Sequence, residues 1–119
     1  MRVWLDDVRP MPEGFDYWAK NVYVLYGLLI AGKVSHISFD HDLGQFNGED
    51  DSKNTGYFIA REIEGWVFEL VDGYSALDFP RITWDVHSSN PVGRKSIEDA
   101  MKCADKNWNI LEKRKWGKI

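Results

Sequence analysis

Three short apolar runs along the chain predict buried β-strands. They cover residues 2–5, 34–39 and 81–86 and are rich in Val, Ile, Phe and Trp, which favour the pleated backbone. Each run stops abruptly at charged or polar residues, so each strand has a well-marked carboxyl end. Residues 15–19 predict a fourth, shorter strand, whose register the pattern leaves open.

Between these strands the apolar residues recur every three or four positions, which predicts helices with one buried face. The helices are expected over residues 22–31, 56–71 and 95–106. Residues 45–55 are polar and rich in Asn, Asp and Gly, which is typical of a surface loop. The tail, 107–119, is basic and contains two tryptophans, and it predicts a final helix or strand at an edge of the same domain.

The alternation of strands with helices predicts the α/β class. Helix-length connections join parallel strands, so we expect a mainly parallel sheet of four or five strands with helices on both faces, a single three-layer domain. The chain has 119 residues, enough for one buried core. We assign residues 1–106 to this domain and residues 107–119 to an extension that packs on it.

Composition and charge narrow the classes of partner. The net charge is −4, so the protein lacks the positive field that attracts duplex DNA. The single cysteine, Cys103, excludes an internal disulfide. No stretch is long and apolar enough for a signal peptide or a membrane span. We therefore expect a cytoplasmic protein without a membrane partner, and the sequence leaves its oligomeric state open.

Ionisable residues follow all three main strands directly. Asp6-Asp7 follows the first strand, Asp40-His41-Asp42 the second, and His87-Ser88-Ser89-Asn90 the third. Ligands of open parallel sheets bind beyond the carboxyl ends of the strands. The three clusters therefore predict one shared site.

The acidic residues of this site predict a cation. Two carboxylates about 5 Å apart repel by about 3 kcal/mol at an effective dielectric constant near 20, so a group of them needs a counter-ion or a proton. Oxygen ligands suit Mg²⁺ or Mn²⁺. The alternative is structural: an aspartate could cap a turn or simply be solvated. The candidates are Asp6, Asp7, Asp40 and Asp42.

Two histidines beside these carboxylates are candidates for proton transfer. His41 and His87 each follow a strand, and imidazole can donate and accept protons near neutral pH. A structural role is the alternative for each ring. Because side chains alternate along a strand, Asp40 and Asp42 could share a side while His41 points elsewhere. His36 lies inside a predicted strand and is interpreted as structural.

The third cluster predicts phosphate binding. Ser88 and Asn90 can hydrogen-bond an anionic oxygen, and Arg94 lies where the last helix begins, near backbone N–H groups that favour anions. Arg9, after the first acidic pair, is a further phosphate ligand or a salt-bridge partner of the acids. The alternative for the cluster is an Asn-Pro turn that leads into the helix, with Arg94 exposed.

Three ordered motifs resemble the cyclic-phosphate processing receiver-like domains. They are Leu5-Asp6-Asp7-Val8-Arg9-Pro10, Ile37-Ser38-Phe39-Asp40-His41-Asp42-Leu43-Gly44 and His87-Ser88-Ser89-Asn90-Pro91-Val92-Gly93-Arg94. The resemblance covers about residues 1–103. It implies a receiver-like, flavodoxin-like fold and action on cyclic phosphates, including those of RNA ends and nucleotides.

The resemblance also implies roles for single residues. In receivers, acids at the positions of Asp6, Asp7 and Asp40 hold Mg²⁺, and the last of them accepts a phosphoryl group. This chain adds His41 and His87 and has no lysine after a clear fifth strand. Both differences favour hydrolysis over signalling.

Together these features predict a phosphodiesterase that opens cyclic phosphates. Asp40, His41 and His87 are the predicted catalytic residues, and the divalent cation is the predicted cofactor. The predicted substrates are a small cyclic-phosphate nucleotide or an RNA 3′ end with a 2′,3′-cyclic phosphate. A version without metal, in which only the two histidines act, is a variant of this prediction.

Two other classes of function remain open at this point. The protein could be a receiver-like module that is phosphorylated on Asp40. Alternatively, it could bind and sequester a cyclic nucleotide without cleaving it.

Overall fold

The computed structural model describes residues 1–73 and 80–116 of the chain. The strands are β1 (Arg2–Leu5), β2 (Tyr17–Ala19), β3 (His36–Phe39), β4 (Gln45–Phe46), β5 (Glu49–Asp50) and β6 (Thr83–Val86). The helices are α1 (Val22–Ile30), α2 (Gly56–Asp72) and α3 (Pro91–Trp116). These elements confirm the predicted α/β class.

Four of the strands form one parallel sheet in the order β2-β1-β3-β6. In the register of this sheet, Leu5 pairs with Phe39, and Phe39 pairs with Val86. The sheet therefore confirms the predicted parallel arrangement. The other two strands, β4 and β5, form a small antiparallel hairpin within the segment that was predicted to be a loop.

All three helices pack on one face of the sheet. The connections through α1 and α2 both cross the sheet in the same direction, and right-handed crossovers then place both helices on the same side. Helix α3 packs along α2 and against β6. The core between sheet and helices includes Val3, Leu5, Leu25, Ile37, Phe39, Ile59, Ile63, Ile97 and Met101.

The other face of the sheet is crossed by residues 8–16, a helix-free segment that we call the strap. Trp4 packs edge-on against Phe15 of the strap, with ring centroids 5.3 Å apart, and its indole N–H donates to the Arg9 carbonyl at 3.0 Å. The Arg2 side chain donates to the Gly14 carbonyl at 2.9 Å. The third layer is therefore a strap and not a helix, contrary to the expectation of helices on both faces. Two prolines in this short connection disfavour a helix there.

Helix α3 is much longer than predicted. It was expected over residues 95–106 but runs from Pro91 to Trp116. Proline at the first helical position already has a helical φ angle, and Trp108, beyond the predicted end, is buried against the core. The helix is continuous across the predicted boundary at residue 106, and residues 117–119 of the predicted extension lie outside the described residues. The division of the chain at 106 remains a prediction.

Among the described residues, none of the helices combines the length and the apolar character that a membrane span requires.

Candidate functional site

The register of the sheet aligns the ends of three neighbouring strands. Leu5, Phe39 and Val86 form one row of paired residues, and the next residue of each strand is Asp6, Asp40 or His87. Backbone hydrogen bonds hold this second row, because Asp40 N–H donates to the Leu5 carbonyl and His87 N–H to the Phe39 carbonyl, each at 2.9 Å. Three residues that are far apart in the sequence therefore become neighbours.

This row of side chains can hold a metal ion. One ligand atom each from Asp6, Asp40 and His87 lies within 4.8 Å of the others. Both aspartates are buried, and the imidazole is only partly exposed. Two carboxylate oxygens and one imidazole nitrogen form a donor set that fits a divalent cation.

Asp6 is held in its ionised form by its surroundings. Its Oδ1 accepts hydrogen bonds from the backbone N–H groups of Val8 and Arg9, both at 2.8 Å, and its Oδ2 lies 2.9 Å from His87 Nε2. Burial alone would raise the pKa of Asp6. The hydrogen bonds together outweigh burial and hold the pKa below its usual value.

The pKa values of the neighbouring carboxylates, Asp40 and Asp7, are shifted in the opposite direction, upwards. Burial and then the negative charge of Asp6 raise the pKa of Asp40. Burial also raises the pKa of Asp7, and the charges of Asp6 and Asp42 add to this shift. Burial first, and repulsion between neighbouring carboxylates second, thus make both groups harder to ionise.

Asp42 is stabilised as a carboxylate by two side chains. The Asn90 amide donates to its Oδ2 at 3.1 Å, and His41 Nδ1 lies 3.1 Å from its Oδ1. These hydrogen bonds lower the pKa of Asp42. Its side chain is 66% exposed, so this carboxylate is available to a ligand.

His41 lies beside the row of Asp6, Asp40 and His87 and is not part of it. Its ring packs against the first turn of α3, where a Cβ atom on Gly93 would collide with the imidazole. This placement agrees with the strand alternation, which turns His41 to the helix side while Asp40 faces the other way. Its Nδ1 lies 3.1 Å from Asp42 Oδ1.

Arg9 links the strap to the site. Its guanidinium donates to the His87 carbonyl at 2.8 Å and to the Ser89 hydroxyl at 3.3 Å, and it lies 3.8 Å from Asp6 Oδ2. The side chain is still 45% exposed. Arg9 pairs with an acid at the edge of the cleft and is still exposed. Its position is therefore compatible with both predicted roles, a salt-bridge partner of the acids and a phosphate ligand.

The other predicted phosphate ligands make contacts within the protein. Asn90 Oδ1 accepts from the N–H groups of Val92 and Gly93, and so caps α3. Ser88 is buried, and its hydroxyl accepts from Asn90 N–H at 3.1 Å. The Arg94 guanidinium pairs with Glu98 at 2.9 Å, one helical turn further along. Their role in binding phosphate remains a prediction.

Two residues that the sequence did not single out position His87. Ser38 Oγ lies 2.8 Å from His87 Nδ1, and the Trp4 indole stacks on the imidazole with ring centroids 3.8 Å apart and an interplanar angle of 6°. Both lie on the same face of the sheet as Asp6 and Asp40, because they precede these residues by two positions. That spacing is the one local signal that could have indicated them.

A cleft of about 470 Å³ opens above this edge of the sheet. It is lined by Asp6, Asp7, Val8, Arg9, Asp40, Asp42, Gly44 and Ser89. Gly44 has a φ angle of +70°, and a Cβ there would press on Asp7. The structure thus brings together the predicted acids and Arg9, whereas Arg94 turns to Glu98.

Comparison with known families gave one match. The sequence profile of a family described as the cyclic-phosphate processing receiver domain matches residues 1–103. No match was found among curated proteins or among solved structures.

Proposed function

The chain belongs to the cyclic-phosphate processing receiver family. We propose that it is a metal-dependent phosphodiesterase that opens cyclic phosphates with water. The observation that carries the proposal is the row of Asp6, Asp40 and His87, whose ligand atoms lie within 4.8 Å of one another. This row lies at the carboxyl edge of a parallel sheet, where such folds bind their ligands.

The charge of the cleft supports a metal requirement. Four aspartates and one arginine line it, and no lysine is found among the described residues of its wall. A phosphate anion would be repelled from such a surface unless a cation offset the carboxylates. A divalent cation held by Asp6, Asp40 and His87 would supply that charge and Lewis-acid stabilisation of the phosphate oxygens. Asp7, at the same edge, would complete the shell directly or through water.

His41 is the histidine that a cation held by Asp6, Asp40 and His87 would leave free to move protons. Its Nδ1 faces the Asp42 carboxylate, and a carboxylate that orients an imidazole in this way favours proton transfer at the other nitrogen. His87 would be occupied by the cation when one is bound. We therefore assign proton transfer first to His41, and we keep His87 as the second candidate that the sequence indicated.

The dimensions of the cleft favour a small ligand or a chain end. Its volume of about 470 Å³ is within the range of small-molecule sites. Arg9 and the Ser89 hydroxyl at its rim would contact the phosphate oxygens. A nucleoside 2′,3′-cyclic phosphate, free or at an RNA 3′ end, is the substrate that we propose.

A hydrolysis screen tests this function. The purified protein is incubated with 2′,3′-cyclic nucleotides, with an RNA that ends in a 2′,3′-cyclic phosphate and with cyclic dinucleotides. Each is run with Mg²⁺, with Mn²⁺ and with EDTA. We expect turnover with a metal, none with EDTA, and a loss of at least a hundredfold in Asp40→Asn, since this change removes a charged ligand.

Matched variants distinguish the roles. Asp99→Asn changes an exposed carboxylate on α3 that pairs with Lys95, and it should leave turnover unchanged. His41→Gln should reduce turnover without weakening metal binding, whereas His87→Gln should weaken both. Acid-labile phosphate on Asp40 without turnover would favour the receiver-like module instead. Tight binding with intact ligand recovered would favour sequestration.

A further inference from the structure

Ser38, on β3, contacts His87 of the row formed by Asp6, Asp40 and His87. It is 2% exposed, and its Oγ lies 2.8 Å from His87 Nδ1. The opposite nitrogen of the same ring, Nε2, lies 2.9 Å from Asp6 Oδ2. The imidazole is thus held at both ends by hydrogen bonds, and its plane is fixed by the stacked indole of Trp4.

These contacts determine the tautomer of His87 when no cation is bound. The Asp6 carboxylate can only accept a hydrogen bond, so Nε2 must carry the proton that it donates. In the neutral ring Nδ1 then has a free lone pair, and the Ser38 hydroxyl donates to it. Ser38 is the donor in this state.

The direction of the second hydrogen bond would reverse if Nε2 bound a cation. Nε2 would then lose its proton to solvent and Nδ1 would take one up, so the ring would stay neutral. Nδ1–H would need an acceptor. A hydroxyl can serve as donor or acceptor by rotating about its C–O bond, and no backbone movement is required.

We propose that Ser38 is a positioning residue that supports both tautomers of His87, and so allows the ring to exchange its hydrogen bond with Asp6 for a bond to a cation. This inference rests on the proposed cation site and adds a residue to it. Partners that orient a ligating histidine in this way commonly change metal affinity by roughly 10- to 100-fold.

The test uses ¹⁵N-histidine-labelled protein and NMR, which distinguishes Nδ1–H from Nε2–H by the nitrogen shifts. The probe is Zn²⁺, because it is diamagnetic and accepts imidazole nitrogen. In the wild-type protein we expect His87 to be the Nε2–H tautomer without metal and the Nδ1–H tautomer with Zn²⁺. In Ser38→Ala, Asp6 still holds the Nε2–H tautomer without metal, but the Nδ1–H of the Zn²⁺-bound form loses its acceptor. We therefore expect a loss of Zn²⁺ affinity of roughly 10- to 100-fold.

Two further variants keep the test decisive. Ser38→Thr retains the hydroxyl and should keep the wild-type affinity for Zn²⁺. Ser35→Ala removes an exposed hydroxyl that donates to the Met1 carbonyl, and it should behave as wild type.

Two results would overturn the inference: an unchanged His87 tautomer on addition of Zn²⁺, or a Ser38→Ala protein that keeps the wild-type affinity for Zn²⁺. Neither depends on turnover. The hydrolysis screen can therefore fail while the role of Ser38 holds, and the reverse is also distinguishable.

Discussion

At the scale of single residues, two histidines on the same face of the sheet have different surroundings. His87 has a partner at each ring nitrogen, as described above. His36 has one: its Nδ1 lies 2.8 Å from the Thr83 hydroxyl, while its buried Nε2 has no hydrogen-bond partner within the described residues. Phe15 of the strap packs beside the ring.

This enclosure predicts a pH dependence of stability. Burial and then the positive charge of Arg2 lower the pKa of His36, although Asp85, 3.9 Å from Nε2, opposes the shift. The folded-state pKa is thus below the unfolded value of about 6.5. The contribution of neutral His36 to the stability of the folded protein is complete above the unfolded-state pKa. It is lost as the pH falls from there towards the folded-state pKa.

Thermal unfolding between pH 7.5 and 5.0 measures this contribution. We expect the melting temperature of the wild-type protein to fall by several degrees across that interval, and His36→Gln to fall by less. His41→Gln, which changes a ring outside the enclosed face, is the control and should follow the wild type. Parallel curves for His36→Gln and the wild type would contradict the prediction.

At the scale of elements, one residue at the start of α3 both caps the helix and contacts an acid of the site. Asn90 uses its side-chain oxygen to cap the helix and its side-chain amide to hold Asp42. Asn21 caps α1 in a similar way, by accepting from Val24 N–H at 3.0 Å, but it makes no contact with the acids of the site. The two asparagines therefore form a matched pair.

Replacing each cap by alanine separates the two roles of Asn90. Loss of either cap should lower the free energy of unfolding by about 1 kcal/mol. Only Asn90→Ala releases Asp42, so only this variant should also lose turnover, by roughly tenfold. Chemical denaturation and the hydrolysis assay measure the two effects. An equal loss of turnover in both variants would show that capping alone is responsible.

At the scale of the whole molecule, the proposed cation site predicts that a divalent cation stabilises the folded protein. The site concentrates like charges in a protein whose net charge is already −4. A ligand that binds only the folded state stabilises it by about 2.7 kcal/mol when its concentration is a hundred times the dissociation constant. Mg²⁺ or Mn²⁺ should therefore raise the melting temperature by several degrees relative to EDTA.

Asp40→Asn tests the origin of this effect. The substitution removes a buried charge whose ionisation burial and Asp6 disfavour, so the variant should be more stable than wild type in EDTA. It should also gain little from added metal. Asp99→Asn should respond to metal as the wild type does. The proposal of a cation site at Asp40 fails if Asp40→Asn gains as much from Mg²⁺ or Mn²⁺ as the wild type.

Much of the fold could be predicted because its signals are local. The apolar runs located β1, β3 and β6, and the helical spacing located α1 and α2 to within one or two residues. The predicted end of α3 was wrong because the burial of Trp108 depends on packing against the core, which is not a local property. The prolines of residues 9–14 predicted a loop there, as observed, but helices were wrongly expected on both faces of the sheet, because the order of strands has no local signature.

The candidate site was predictable only in part for the same reason. The residues at the strand ends could be identified from the sequence, since the change from apolar to ionisable residues is local. Which of these residues lie close together depends on tertiary contacts. The register between strands placed His87 beside Asp6 and Asp40, and strand alternation turned His41 towards Gly93. Tertiary contacts also place Ser38 and Trp4 against His87, although these residues precede His87 in the chain by 49 and 83 positions.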